Sequence, residues 1–137
     1  YYGDEAQIDG TVDSMEGCRY PMPWSRDIPA CDAYRLIHTM THLKADHTAL
    51  RQGGMKFLYA AGRGVALARF WEEEVFVGII STEDRDVKIR LPLGAVGASV
   101  PIGSTDIFGT PLSYRLNDDA SIELTVKAGQ SYLMQCR

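Results

Sequence analysis

The sequence predicts a mainly β chain: an antiparallel β-sandwich over its C-terminal part, preceded by one α-helix and, before that, a long irregular loop. Three observations predict it. Beyond Gly54, short runs of Val, Ile, Phe, Tyr and Trp recur at spacings of roughly ten residues with no helical pattern between them, which requires antiparallel pairing. Between Tyr34 and Leu50 the apolar residues recur at helical spacing instead. Before Asp32, Pro21, Pro23 and Pro29 exclude regular helix or central strand.

Residues 1–31 hold the carboxylates Asp4, Glu5, Asp9, Asp13 and Glu16, followed by Arg19 and Trp24. Ordered loops of about thirty residues are uncommon and usually functional. Such a loop needs a scaffold, yet only Tyr1 and Tyr2 read as the tail of a strand before it. The chain is therefore expected to begin inside a larger structure.

Asp32 is a suitable helix cap. Leu36, Ile37, Met40, Leu43 and Leu50 then form one apolar stripe, with Arg35, His38, His42, Lys44 and Asp46 opposite. Gly53 and Gly54 supply a stop, where a positive φ is expected. The helix is placed at 33–51, and the domains at 1–52 and 53–137.

Strands are expected at Met55–Ala61, Val65–Trp71, Val75–Ser81, Val87–Leu91, Asp106–Phe108, Ser121–Val126 and Ser131–Gln135, with a weak run near Ser99–Ile102. Two sheets packed face to face are the natural package for them. Val75–Ile80 shows no polar alternation and is expected to be a central strand buried on both faces. Glu72, Glu73 and Glu74 read as a charged turn.

Composition excludes several classes of function. With 137 residues, 45% of them hydrophobic, the chain can bury a real core. A net charge of −4 with scattered basic residues argues against nucleic acid. No apolar run is long enough to span a bilayer. Cys18, Cys31 and Cys136 form no Cys-x-x-Cys pair. Free thiols in a cytoplasmic protein are the expected state, with a Cys18–Cys31 bridge the alternative.

The candidate chemistry lies in the opening loop. Paired carboxylates facing one bond are what glycoside hydrolysis requires. Asp4 and Glu5 are adjacent, however, so on extended chain they point to opposite sides. The plainer reading is that one accepts backbone N–H groups while the other pairs with Arg19; contact with a polar substrate is the sharper one. The planar fork of Arg19 suits a bidentate carboxylate, with Asp9 and Asp13 as partners, and a loop-stapling role is expected. Trp24 can stack on a sugar ring or pack beside Pro23. His38, His42 and Asp46 share one helix face, but with no further ligand in sight they read as a solvated face. No metal or cofactor is expected.

Tyr1-Tyr2-Gly3-Asp4-Glu5, Gly10, Asp13 and Cys18-Arg19-x-Pro21-Met22-x-Trp24 together resemble the segment after the last barrel strand in the α-amylase family of glycoside hydrolases. The likeness is closest to the neopullulanase, cyclomaltodextrinase and maltogenic amylase branch. The stretch from Leu43 to Gly53 resembles that family's last barrel helix, and Ala66–Phe70 with Val75–Val77 its usual entry into a C-terminal β-domain. Two positions depart from the pattern: Ser14 stands where the family has a proline, and Ile80-Ser81 where it has an asparagine.

The resemblance implies that the helix and loop are left over from a truncated (β/α)8 barrel. The parent would be a retaining enzyme acting on α-1,4-linked glucans. Its nucleophilic Asp, acid/base Glu and transition-state-stabilising Asp would all lie upstream, so no catalytic residue is expected in this chain. In a β/α-barrel the site is built from loops at the C-terminal ends of the strands. Asp4, Glu5, Asp13 and Arg19 would then line the rim of the substrate cleft. The rival readings are a stand-alone sugar-binding β-module using Trp71, Tyr59 or Tyr114, and a structural or oligomerisation domain. An exposed stripe of Leu36, Met40 and Leu43 would self-associate or be covered by the first thirty or so residues.

Overall fold

A computed structural model describes residues 2–11, 13 and 15–137, with Cys18 described in its backbone alone. Tyr1, half of the expected strand tail, and Ser14 lie outside the described residues. Tyr2 is in irregular backbone, and its hydroxyl donates to the Tyr20 carbonyl at 3.0 Å. The chain forms two compact units, residues 1–46 and 47–137.

The first unit consists of three short 3₁₀ turns, Asp4–Ala6, Met15–Cys18 and Ile28–Ala30, followed by helix α1, Asp32–Asp46. Asp32 is the first helical residue, not the cap. The Cys31 carbonyl accepts from the Arg35 amide at 3.1 Å, so Cys31 is the residue that begins the helix. Asp32 instead places a negative charge in the first turn, where the helix dipole favours it.

The second unit begins with a short helix, α2, Thr48–Arg51. The expected single helix over 33–51 is therefore broken, at His47, which has extended backbone (φ −116°, ψ 123°). Nothing in Ala45–Arg51 is a helix breaker by composition. At the break, the Ala49 amide donates to a carboxylate of the sheet, Glu74, at 3.0 Å. Gly53 also differs from expectation. It is not in the left-handed region. A Cβ there would run into the backbone oxygens of Ala49 and Phe70, so glycine is needed for close approach rather than for a turn.

Seven strands follow: β1 Gly54–Ala61, β2 Gly64–Trp71, β3 Glu74–Ser81, β4 Val87–Pro92, β5 Tyr114–Leu116, β6 Ser121–Val126 and β7 Ser131–Cys136. One antiparallel sheet has the order β1-β2-β3-β7 and the other β4-β6-β5. Period-two alternation sends Ala66 and Ala68, Val75, Val77 and Ile79, and Met134 and Cys136 inward from the first sheet. Ile89 and Leu91 with Ile122, Leu124 and Val126 meet them from the second. This sandwich core is the principal source of stability, at about 1.5–3 kcal/mol for each fully buried Val, Leu or Ile.

Strand β3 is central, as its composition requires, but it is covered on both faces only at one end. Phe76 is buried on the outer side, whereas Ile80 is 58% exposed. The weak run near 99–102 and the strand expected at Asp106–Phe108 are not regular strands. They lie along the edge of β7: Ser99 and Val100 amides donate to the Arg137 carbonyl, and Ile102 and Ile107 amides to Gln135 and Leu133. This segment covers β7's outer edge without forming a strand of its own. It is pinned by Asp106, 5% exposed. The Asp106 carboxylate accepts the amides of Phe108 (2.9 Å), Thr110 (2.8 Å) and Leu133 (3.2 Å).

Candidate substrate-cleft rim

The opening loop is shaped by two pinches. Gly3 O accepts from Ala6 and Ile8 amides, which turns the chain through Asp4–Ala6. Farther on, the Thr11 amide donates to the Gly17 carbonyl at 2.9 Å, which brings these two points of the chain together. A Cβ on Gly17 would collide with Thr11, including its backbone oxygen at 2.6 Å, so this closure requires glycine. Between residues 7–11 and the proline segment lies a groove of about 490 Å³, lined by Gln7, Asp9, Tyr20, Pro21, Pro23 and Arg26 among others.

Asp4 and Glu5 lie in a 3₁₀ turn, not on extended chain. Asp4 is exposed, Glu5 half-buried, and Asp13 and Arg19 exposed. Among the described residues, none of these four side chains makes an ion pair or hydrogen bond, so the expected staple from Arg19 to Asp9 or Asp13 is not formed. An exposed arginine gains little from an exposed carboxylate once side-chain ordering is counted. Long-range contacts within the loop come from the Tyr2 hydroxyl on the Tyr20 carbonyl and from Arg26, whose guanidinium reaches the Ala6 carbonyl at 3.5 Å. Trp24 is 79% exposed and does not pack beside Pro23 in a core. Its ring is open to a stacking partner.

Helix α1 presents its apolar stripe outward. Of its described residues none is buried; Leu36, Ile37 and Met40 are exposed and Leu43 half-buried. The first thirty residues touch the helix without covering that stripe. On the polar face His42 Nδ1 donates to the His38 carbonyl at 2.8 Å, and the two rings stack with centroids 4.1 Å apart. Among the described residues no three ligating side chains converge on a metal position.

In the second unit, Met55 and Phe57 on β1 and Ile80 on β3 are exposed on the outer face of the four-stranded sheet. The aromatic side chains suited to a sugar-binding module are mostly unavailable there: Tyr59 and Tyr114 pack partly against the core, and Trp71 is 42% exposed. A groove of about 640 Å³ on the outer face of the three-stranded sheet is lined by Lys88, Arg90, Arg115, Glu123 and Thr125.

Glu72 and Glu73 do form a charged turn, but Glu74 begins β3 and is engaged. Its carboxylate accepts from His47 Nδ1 at 3.0 Å and from the Ala49 amide at 3.0 Å. The Ala49 amide first, and then His47, hold the Glu74 carboxyl below its ordinary value. Elsewhere Cys31 and Cys136 carry free thiols, and burial pushes Cys136 up to about 12. No helix among the described residues is long and apolar enough to cross a membrane.

A cyclomaltodextrinase from a Bacillus species is 36% identical over 92 residues, covering 66% of this chain and 16% of the relative. The chain corresponds to the C-terminal part of the α-amylase family of glycoside hydrolases. No protein-family model matches it. An α-amylase from Anoxybacillus superposes over 99% of the chain and 28% of its own length, with a TM-score of 0.77 at 20% identity. An α-amylase from Geobacillus thermoleovorans, solved with acarbose, does so over 100% and 29%, with a TM-score of 0.76 at 20% identity. A cyclomaltodextrinase structure covers 100% of the chain and 22% of its own length, with a TM-score of 0.73 at 22% identity. These likenesses establish the mainly β fold with its C-terminal sandwich. The chain thus spans about a sixth of the curated relative and between a fifth and a third of these structures.

Proposed function

We propose that this chain is the C-terminal piece of an enzyme acting on α-1,4-glucans, and that the catalytic acids reside outside it. The observation that carries the reading is helix α1, in which fifteen residues form a regular amphipathic helix with none buried. A helix with an open apolar stripe has lost, or awaits, the surface it was selected to pack on. The exposed Met55, Phe57 and Ile80 on the outer sheet face support the same reading in the second unit. The identity to a cyclomaltodextrinase supplies the substrate class. In this proposal α1 is the last helix of a (β/α)8 barrel, and residues 1–31 form the loop leaving its eighth strand. Asp4, Glu5, Asp13 and Arg19 border the substrate cleft, their side chains free of partners among the described residues and so available to sugar hydroxyls. The free thiols of Cys31 and Cys136 support a cytoplasmic location.

The test has two arms. The isolated chain is incubated with maltohexaose and with β-cyclodextrin, and is expected to hydrolyse neither; turnover by it would overturn the assignment of the catalytic acids. The whole reading frame is then expressed, with hydrolysis of both substrates expected. In that enzyme Arg19→Ala and Asp13→Asn should each raise KM by roughly tenfold, the loss of one charge-assisted hydrogen bond. Unchanged kinetics in both variants would remove these residues from the rim.

A further inference from the structure

The break between α1 and α2 is not written in its own residues. Ala45 to Arg51 contains neither glycine nor proline, and although Asp46, His47 and Thr48 are weak helix formers, the apolar spacing from Leu43 to Leu50 runs through it. A helix broken there loses main-chain hydrogen bonds and exposes new amide donors at the restart. The residue that would cap the restart, His47, makes no side-chain cap of its own. An acceptor comes instead from another element. Glu74, at the start of β3, takes the Ala49 amide on one oxygen and His47 Nδ1 on the other, each at 3.0 Å. Its reach is 25 residues along the chain from Ala49. The His47 ring also meets the edge of Phe76, with centroids 4.7 Å apart, which orients the imidazole toward the carboxylate.

We propose that Glu74 and His47 form a conformational latch that imposes the helix break on a segment able to run on as one helix. The latch falls where the chain passes from one compact unit to the next, between Asp46 and His47. The backbone at His47 is thereby switchable: with the carboxylate engaged His47 is extended, and with it removed His47 becomes helical. Packing opposes this through Ala49, the buried residue of α2, and through the His47 ring on Phe76. This inference stands on the geometry of the second unit and is independent of the enzyme reading above.

The test uses the ¹⁵N,¹³C-labelled 137-residue chain and backbone chemical shifts at Asp46, His47 and Thr48. Wild type should report extended backbone at His47. Glu74→Ala should move His47 to helical shifts and raise far-UV helicity. The pair Glu74→Ala with His47→Asp supplies a local cap and should restore the break. If Glu74→Ala does not fold, Glu74→Gln keeps the bulk while weakening both bonds; there the Ala49 amide should exchange roughly fivefold faster, the effect of losing a helix cap. His47 remaining extended in Glu74→Ala, or an unchanged Ala49 exchange rate in Glu74→Gln, would overturn the latch and assign the break to packing of α2 alone.

Discussion

Residues 47–137 and residues 1–46 are both well-formed chain, but they are held by different means. In the former, Val77, Ile79, Leu91, Ile122 and Met134 close a core between two sheets, each nearly inaccessible to water. In the latter, Ala6 is the only buried apolar residue among those described, and order comes from 3₁₀ turns, local backbone bonds and helix α1. The lesson is one of sufficiency. A sandwich that encloses its own apolar side chains has what a small domain needs, whereas a short helix with an exposed stripe is marginal without a surface to pack on. The four changes below, taken from the largest expected effect to the smallest, would break or sharpen that contrast.

The core should be the most sensitive. Leu91→Ala removes a fully buried side chain from the core between the sheets and should cost about 2–5 kcal/mol in urea unfolding. A cost below 1 kcal/mol would mean that the two sheets are not packed as described. Next comes the clasp on β7. Asp106→Ala leaves the amides of Phe108, Thr110 and Leu133 without their acceptor and should cost about 1–3 kcal/mol. Amide exchange at Leu133 should accelerate in parallel, and an unaltered rate there would count against the clasp.

The third change is in pH. The Ala49 amide and His47 keep Glu74 below 4.5, while Lys127 keeps Asp86, and the Ser121 hydroxyl with Arg90 keeps Asp119, below 3.8. Carboxyls depressed in the folded state stabilise it fully above their unfolded values and lose that contribution as pH falls through the folded ones. The urea midpoint of the second unit should therefore hold steady above the ordinary carboxylate range and decline as pH falls through it. Glu74→Gln should lower the midpoint at neutral pH and flatten the upper part of the acid limb. A parallel decline in the variant would show that Glu74 is not linked to folding.

How much of this could be read from the residues divides along the same line. Strands β1, β2, β3, β4, β6 and β7 are legible because each alternates or runs apolar between turn residues, and burial follows that pattern directly. Strand β5 is not, since Tyr114–Leu116 is three residues long and carries no period of its own. The helix break at His47 and the seat of Asp106 were also hidden, because in each a carboxylate acts on backbone far away in sequence. In the loop the resemblance at Gly3-Asp4-Glu5 and Arg19-x-Pro21-Met22-x-Trp24 pointed to the family. The pairing of Arg19 could not be read, because which of several nearby acids an exposed arginine meets is worth too little to be dictated by composition.

The smallest effect should come from the most apolar-looking surface. Leu36→Ser with Met40→Ser replaces two exposed side chains of α1, at 50% and 37% exposure. Since neither is enclosed by the chain itself, urea unfolding of the sandwich should change by no more than about 0.5 kcal/mol, the usual range for surface positions. Serine lowers helix propensity slightly, so α1 should lose a little far-UV signal, which separates a local effect from a global one. If the stripe instead has a partner, the same pair of changes will show it. Sedimentation of the wild-type chain should then reveal association that the double variant lacks, because removing apolar area from a contact weakens it in proportion to the area lost. A large loss of stability at concentrations where both proteins sediment as monomers would mean that the stripe is covered within the chain. The first unit would then be as self-sufficient as the second.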